Sequence, residues 1–370
     1  MGRSVLVCGA GIAGTTLAYW LGRNGFEVTV VERSTGQRSS GSPVDVRGGA
    51  VDVAERMGVM PRLRDLATRA ERLVFVDAHG APVASVRLSV FGGSAGDREV
   101  EVWRADLADA LSAAAEEYAQ VRFGDTVAAL TEDAAGVDVE FAGGTRDRFD
   151  LVVGADGLHS VVRQLAFGPE EAFIEHLGMY VATVAAQHPL GDGADVVMYN
   201  TPGRVVGFHP AGGRPGAVFM FRHPAIPGFS PRDSVLHKQL VTTEFDSHAG
   251  VFAGVLDQVS AAGELYCDAV SRVRVPHWST GRITLVGDAA SCVSLFGEGS
   301  SNAISGAYTL AQELTRTPED PGAAAHRYER RQRRAIRSAQ RGVRVAKAVL
   351  VPATTPGIIV RNLMIRALPG

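Results

Sequence analysis

Three strand-to-loop transitions in this 370-residue chain carry glycine with an acid, each just behind a short apolar run. The first group is Gly9, Gly11 and Gly14, spaced G-x-G-x-x-G, with Ala13 in the same turn and Glu32 further on. Each glycine has its own use in a chain that must approach a pyrophosphate. Gly9 makes a tight turn, Gly11 lacks the Cβ that would hold a phosphate away, and Gly14 lets a helix lie close on its strand. A carboxylate at Glu32, followed by Arg33, suits the ribose hydroxyls of an adenosine with a free 2′-OH, as in FAD or NAD rather than NADP. The second group is Asp156-Gly157, with Arg163 downstream, and the third is Gly287-Asp288.

These residues need elements to present them. Val5 to Cys8 is a continuous apolar run, as expected for a parallel strand buried on both faces. The helix that opens after Gly11 points its first N–H groups, worth about half a positive charge, at the phosphate. Phe26 to Val31 reads as the second strand, Phe149 to Val153 as another, and the run from Gly281 to Ala290 as a third buried strand ending in glycine and acid. An NAD enzyme of this layout needs only the first loop. An extended flavin dinucleotide must be held at its adenosine, its pyrophosphate and its ribityl chain, so it needs several. No second G-x-G-x-x-G is present.

The rest of the chain is patterned differently. Leu73–Val76 and Val83–Leu88 read as a hairpin, and Val44 to Arg47 as a short strand before Gly48-Gly49 and a helix at 50–57. Runs at 179–187, 195–200, 205–209 and 217–223, separated by Pro- and Gly-rich turns, read as an antiparallel sheet, followed by a helical stretch at 230–259 and a strand at 272–276. The fold class is therefore α/β: a Rossmann-like FAD-binding domain, an inserted antiparallel β-sheet substrate domain, and C-terminal helices. Residues 1–70, 98–170 and 268–340 are assigned to the first, 71–97 and 171–267 to the second, and 341–370 to the third. Substrate-lining candidates are Met198, Asn200, Phe208, Phe219 and Phe221, with His209 and His223 as groups that could orient a phenol or act as a base. Strand alternation places Phe219, Phe221 and His223 on one face. An apolar, aromatic wall suits an aromatic or polycyclic ligand better than a small polar acid.

Composition sets outer limits. Hydrophobic residues make up 46% and charged residues 21%, a globular balance, and the net charge of −3 gives no general attraction to nucleic acid or anionic membrane. The three cysteines, Cys8, Cys267 and Cys292, form neither a CxxC nor a cluster, so neither a disulfide framework nor a metal site is expected, and the compartment reads as cytoplasmic. No run is long enough for a membrane span. The basic run from Arg327 to Lys347 lies on one long helix, 323–351, and reads as a solvated face. A last amphipathic helix, 357–368, is expected to pack on the protein. Oligomeric state is open.

In order and spacing, GAGIAG with Glu32, GADGLHSVVR and GRITLVGDAA resemble the class A flavoprotein monooxygenases, the family of para-hydroxybenzoate hydroxylase and the tetracycline-inactivating monooxygenases. The resemblance implies that Glu32 holds the adenosine ribose and Gly11 touches the pyrophosphate. It implies that Arg104 lies near the diphosphate and ribityl region, and that Gly287-Asp288 binds ribityl or pyrophosphate. Asp156 would be linked to FAD and NAD(P)H handling, and Arg47 to a loop that follows flavin movement. Gly297, Gly299 and Ser300 would lie beside the isoalloxazine ring, where backbone N–H groups stabilise charge on reduced flavin. The implied chemistry is reduction of FAD by NADH or NADPH, reaction with O₂, and oxygen delivery from a flavin C4a-hydroperoxide to an aromatic or polyketide-like substrate. The chain departs from the family pattern after Ala290. Ser291 to Phe296 contains no proline, Val293 and Leu295 standing where prolines are usual, and Glu298 lies between Gly297 and Gly299. Two alternatives follow: an FAD-dependent tailoring oxidoreductase without oxygen insertion, or a non-catalytic flavin-binding protein.

Overall fold

The computed structural model describes residues 3–36, 42–91, 98–186, 194–210, 214–246, 250–263, 265–292 and 298–368. In chain order the first elements are β1 (Ser4–Cys8), α1 (Ile12–Arg23), β2 (Glu27–Glu32), β3 (Pro43–Val46), α2 (Gly49–Arg56), α3 (Met60–Asp65), β4 (Arg72–Val76) and β5 (Pro82–Arg87). Then come β6 (Val100–Trp103), α4 (Arg104–Ala115), β7 (Gln120–Phe123), β8 (Val127–Glu132), β9 (Val137–Phe141), β10 (Arg146–Phe149), β11 (Leu151–Gly154) and α5 (Val161–Phe167). The sheet-rich middle holds β12 (Ile174–Ala185), β13 (Asp195–Thr201), β14 (Arg204–His209), β15 (Gly216–Phe221), α6 (Ser234–Phe245), α7 (Ala253–Ala261) and β16 (Tyr266–Val273). The last are β17 (Ser279–Thr280), β18 (Ile283–Leu285), α8 (Glu298–Arg316), α9 (Pro321–Leu350) and α10 (Thr355–Arg366).

The strands expected to be buried on both faces, β1, β11 and β18, join β2 and β7 in a parallel sheet of order β18-β11-β1-β2-β7, with β17 added antiparallel at its edge. Val5, Leu6 and Val7 have no exposed surface, and Val152, Val153 and Leu285 are equally buried. Their side chains face helices on either side, so no polar alternation could be accommodated. β8, β9 and β10, which lie between β7 and β11 in the chain, make a small antiparallel sheet.

The second large sheet runs β16-β12-β15-β14-β13-β4-β5, antiparallel except where β13 pairs with β4. The hairpin of β4 and β5 thus extends the sheet made by the four later runs. β16 starts six residues before the expected strand at 272. Residues 268–273, grouped by sequence with the nucleotide-binding part, therefore hydrogen-bond to β12 in this sheet.

The two faces of this sheet have different covers. On one, Val206, Phe208, Ala217, Phe219 and Phe221 pack against Val241 and Phe245 of α6 and Val255 and Val259 of α7. On the other, Phe75, Met198 and Val205 pack with Leu350, Val351 and Ile365 at the C-terminal helices. The aromatic face expected to line a substrate site is thus a core face. Phe208, Phe219 and Phe221 are fully buried, with the Phe219 ring 5.1 Å from Phe245.

α10 also departs from a simple amphipathic reading. Arg361 is buried alongside Ile365: it stacks 3.6 Å from the centroid of Phe75 and donates to the Val349 carbonyl and to Asn200 Oδ1. Asn200 Nδ2 donates to the Leu350 carbonyl. Asn200, expected at the substrate, instead ties the C-terminal helices to the sheet. No helix among the described residues is long and apolar enough to cross a membrane.

Candidate functional site

Parallel strands end at one edge of a sheet, so their following loops meet there. The Gly9 N–H donates to Val31, the Ala155 N–H to Cys8, and the Val286 N–H to Gly154. The fit is close enough to require glycine. Gly9 has φ +106°, and a Cβ there would stand 2.6 Å from the Ala155 carbonyl oxygen. A Cβ on Gly14 would be 1.9 Å from the Gly9 oxygen, and one on Gly287, with φ +63°, would be 2.7 Å from Ala13 Cβ. Gly9, Ala13, Gly14 and Gly287 are thereby brought together with the Asp156 loop.

Gly11 behaves differently. A Cβ there would meet nothing within 4 Å, and the residue is exposed. It is the N-cap of α1, with no side-chain cap and no acid in the first turn. An uncapped, acid-free helix N-terminus beside open space suits an anion. Glu32 stands next to it, its Oε2 accepting from the Ala10 N–H at 3.0 Å and its Oε1 from the Ser34 N–H at 2.9 Å. Arg33 follows, half-buried. The N-terminus of α4 also lacks a side-chain cap; it has Asp106 in its first turn and carries exposed Arg104 at its first position. Arg104 acts electrostatically on Asp288, opposing the burial that raises the Asp288 pKa. These groups fit a dinucleotide: two uncapped N-termini, one arginine and a carboxylate at the ribose end.

Asp156 has a local task. Its carboxylate accepts from Ser160 Oγ and from the Val161 and Val162 N–H groups, which caps α5. Arg163, unassigned by the sequence reading beyond its place in the motif, is fully buried. It donates to the Leu158 carbonyl at 2.6 Å and to the Ala289 carbonyl at 3.1 Å, so it joins the Asp156 loop to the Gly287-Asp288 loop. His159 reaches outward from the same motif. Its Nδ1 lies 3.0 Å from Glu170 and its Nε2 3.5 Å from Asp268 of β16. Those two carboxylates raise the His159 pKa to about 9.

The ribbon of β3 and β6 closes the other side. At the start of α8, Ser300 Oγ and Ser301 Oγ both donate to the Asp45 carbonyl, and Ser301 Oγ accepts from the Arg47 N–H. The Ser300 hydroxyl is therefore engaged by β3. A Cβ on Gly299 would stand 3.9 Å from Asp288 Oδ1. Arg47 pairs with the side chain of Asp45. Burial, opposed by Arg47 and reinforced by Glu101, raises the Asp45 pKa to about 6. Gly297, Val293 and Leu295 lie outside the described residues.

Glu101 and Trp103 alternate with buried Val100 and Val102, so both point from β6 toward the large sheet. Trp103 lies over β15, where a Cβ on Gly216 would be 2.4 Å from its ring. Glu101 Oε2 meets His209 Nε2 at 3.1 Å and Thr68 Oγ1 at 2.5 Å. His209 and Met198 share this face of the sheet, and Met198 covers Gly207, where a Cβ would come within 3.3 Å of it. His223 is elsewhere. It follows the opposite alternation, lies 6.5 Å from Phe221 between ring centroids, and bonds the Pro224 carbonyl at an exposed position. Of the two histidines, only His209 meets the β3–β6 ribbon. Period-two alternation over Glu99–Trp103 was the available signal for Glu101 and Trp103; nothing local marks Thr68.

Residues 3–341 match a family model described as FAD binding domain. An uncharacterized protein of Mycobacterium tuberculosis (strain ATCC 25618 / H37Rv) is 36% identical over 330 residues, covering 86% of each chain. A flavin-dependent monooxygenase of Legionella longbeachae serogroup 1 (strain NSW150) is 34% identical over 315 residues, 84% of this chain and 80% of its own. Among solved structures, tetracycline destructase Tet(51) superposes with a TM-score of 0.84 at 28% identity, covering 100% of both chains.

Proposed function

The chain belongs to the class A flavoprotein monooxygenases, FAD-dependent enzymes with the FAD binding domain described above, and on that premise we propose that it hydroxylates an aromatic or polyketide-like small molecule at the expense of NADH or NADPH. The observation that carries the reading is the division of the cleft. Its cofactor side has the open, uncapped N-terminus of α1 and Arg104 at the start of α4, and its other side offers Met198 and His209 of the large sheet with Trp103 of β6 over them. The α1 N-terminus and Gly11 would take the pyrophosphate, Glu32 the ribose hydroxyls, and Arg104 with Asp288 the middle of the cofactor. The backbone at Gly299 and Ser300, opening α8, would face the ring. Bound FAD supplies two-electron reduction by the nicotinamide and activation of O₂. The chain supplies position, through the Arg163 and Ser300–Asp45 joints, and a sheet wall that keeps water from the reacting atoms. Likeness to a structure named for tetracycline destruction supports a polycyclic substrate, with tetracycline itself as a first probe.

The test is direct. FAD-loaded protein is mixed with NADH or NADPH and tetracycline under ¹⁸O₂. Ligand-stimulated nicotinamide oxidation with ¹⁸O in the product is expected. Stimulated oxidation that never labels product, across tetracycline and a panel of hydroxylated polycycles, would overturn the oxygen-transfer reading.

A further inference from the structure

Glu101 is the acceptor that sets the state of His209. Burial disfavours its charge, but hydrogen bonds from His209 and Thr68 outweigh this and hold its pKa below the usual carboxylate range. An ionised carboxylate can only accept, so the proton of the His209–Glu101 bond sits on His209 Nε2. In the neutral ring Nδ1 then carries a lone pair and no hydrogen. That Nδ1 is buried without a hydrogen-bond partner, and the Nε1–H of Trp103 beside it is also buried and unpartnered. A buried polar atom left unpaired is costly, so two such atoms side by side, one on β6 and one on β14, indicate groups that a ligand satisfies.

We propose that His209 Nδ1, its lone pair fixed by Glu101, is the specificity-determining acceptor for a hydroxyl on the substrate ring, so that the enzyme selects phenols or enols over otherwise identical ethers. This rests on the monooxygenase reading and adds which ring substituent the cleft requires. His209 touches the substrate. Glu101 is a positioning residue that acts through it, and Thr68 holds Glu101 in turn. The location is apt, because Asp45, opposite Glu101 in the β3–β6 ribbon, is bound to the start of α8. A hydroxyl on His209 is thereby held in register with the helix end proposed to face the flavin ring.

The experiment compares 2-naphthol with 2-methoxynaphthalene, two probes that share a ring system and differ in the hydroxyl donor. Binding to FAD-loaded protein is read from the perturbation of the flavin absorption spectrum. The wild type is expected to bind the naphthol about tenfold more tightly, the value of one buried hydrogen bond. His209→Gln keeps a donor toward Glu101 but has no acceptor at the Nδ1 position, so its discrimination should fall to about onefold. His209→Asn keeps an oxygen near Nδ1 and should retain most of it. Glu101→Gln releases the tautomer and should reduce the ratio with unchanged FAD content. A wild type that binds the two probes equally, or binds neither while holding FAD, overturns the proposal, as does undiminished discrimination in His209→Gln. A protein that takes up no FAD overturns the preceding reading instead.

Discussion

Phe219 separates two accounts of the large sheet. As a substrate wall, its ring would be partly dispensable for folding and essential for ligand binding. As packed in the structure it has no exposed surface, its ring meets Phe245 edge-on at 5.1 Å, and the covering helices are α6 and α7. Truncating such a ring to alanine costs about 3–5 kcal/mol, of which the aromatic pair contributes roughly 0.5–1.5. At a few degrees per kcal/mol, Phe219→Ala should lower the melting temperature by on the order of 10 °C. Bound cofactor raises apparent stability by mass action, so both proteins must be melted in the same saturating FAD. The control is Val218→Phe, one residue along and on the opposite face, where Val218 is half-buried. That substitution should shift melting by less than about 1 kcal/mol, yet weaken the flavin spectral response to a polycyclic ligand. Unchanged melting of Phe219→Ala with loss of ligand response would refute the assignment of faces.

Other expectations follow from the same geometry. Gly11→Ala has room and an ordinary φ of −75°, so it should fold normally and lose FAD affinity by about tenfold in a fluorescence titration. Gly14→Ala, with its Cβ 1.9 Å from a carbonyl oxygen, should instead destabilise the apoprotein by about 1–3 kcal/mol or more, measured by denaturant melts. His159, raised to about 9 by Asp268 and Glu170, contributes stability that is complete below pH 6.5 and is lost as pH rises through about 9. With its side chain 26% exposed, that contribution is about 1–3 kcal/mol, and His159→Gln should flatten the stability profile between pH 7 and 9. Arg163→Lys keeps the charge but cannot fork between the Leu158 and Ala289 carbonyls, so it should lower both melting temperature and FAD affinity, with a loss of about 1.5–3 kcal/mol.

The parallel sheet was legible because β1, β11 and β18 are apolar on both faces and each ends in a glycine-bearing loop, a pattern that few other arrangements produce. The convergence of Gly9, Ala13 and Gly287 follows from topology once the strands are parallel neighbours. The large sheet was legible as strands but not as faces. Both of its faces are apolar, one covered by α6 and α7 and the other by the C-terminal helices and the cleft, so alternation could group Phe219 with Phe221 without saying where the group points. The partners of His209 were hidden for another reason. Thr68, Glu101 and His209 are separated by 33 and 108 positions, and no local pattern encodes a contact at that distance. The contact between Asn200, expected at the substrate, and Arg361 was hidden likewise, since a buried arginine on an amphipathic helix looks, in sequence, like its solvated face.

The joints around the cleft are polar where the domain interiors are apolar. Arg163 binds two loop carbonyls, Ser300 and Ser301 bind the Asp45 carbonyl, and His159 spans Glu170 and Asp268. Buried charge is an inefficient source of stability, because desolvation offsets most of the attraction. The raised pKa of Asp45, despite Arg47 beside it, shows that cost. Apolar surfaces can slide by a fraction of an ångström at little cost, whereas a fork of hydrogen bonds fixes register in distance and angle. A cofactor held at several loops by different chain segments needs that register, since a small misplacement of a reacting atom is expensive in rate. Stability therefore resides in the sheet cores, and position resides in the polar seam. Substitutions in the seam should alter cofactor affinity and ligand selection more, per degree of melting temperature lost, than substitutions in either core.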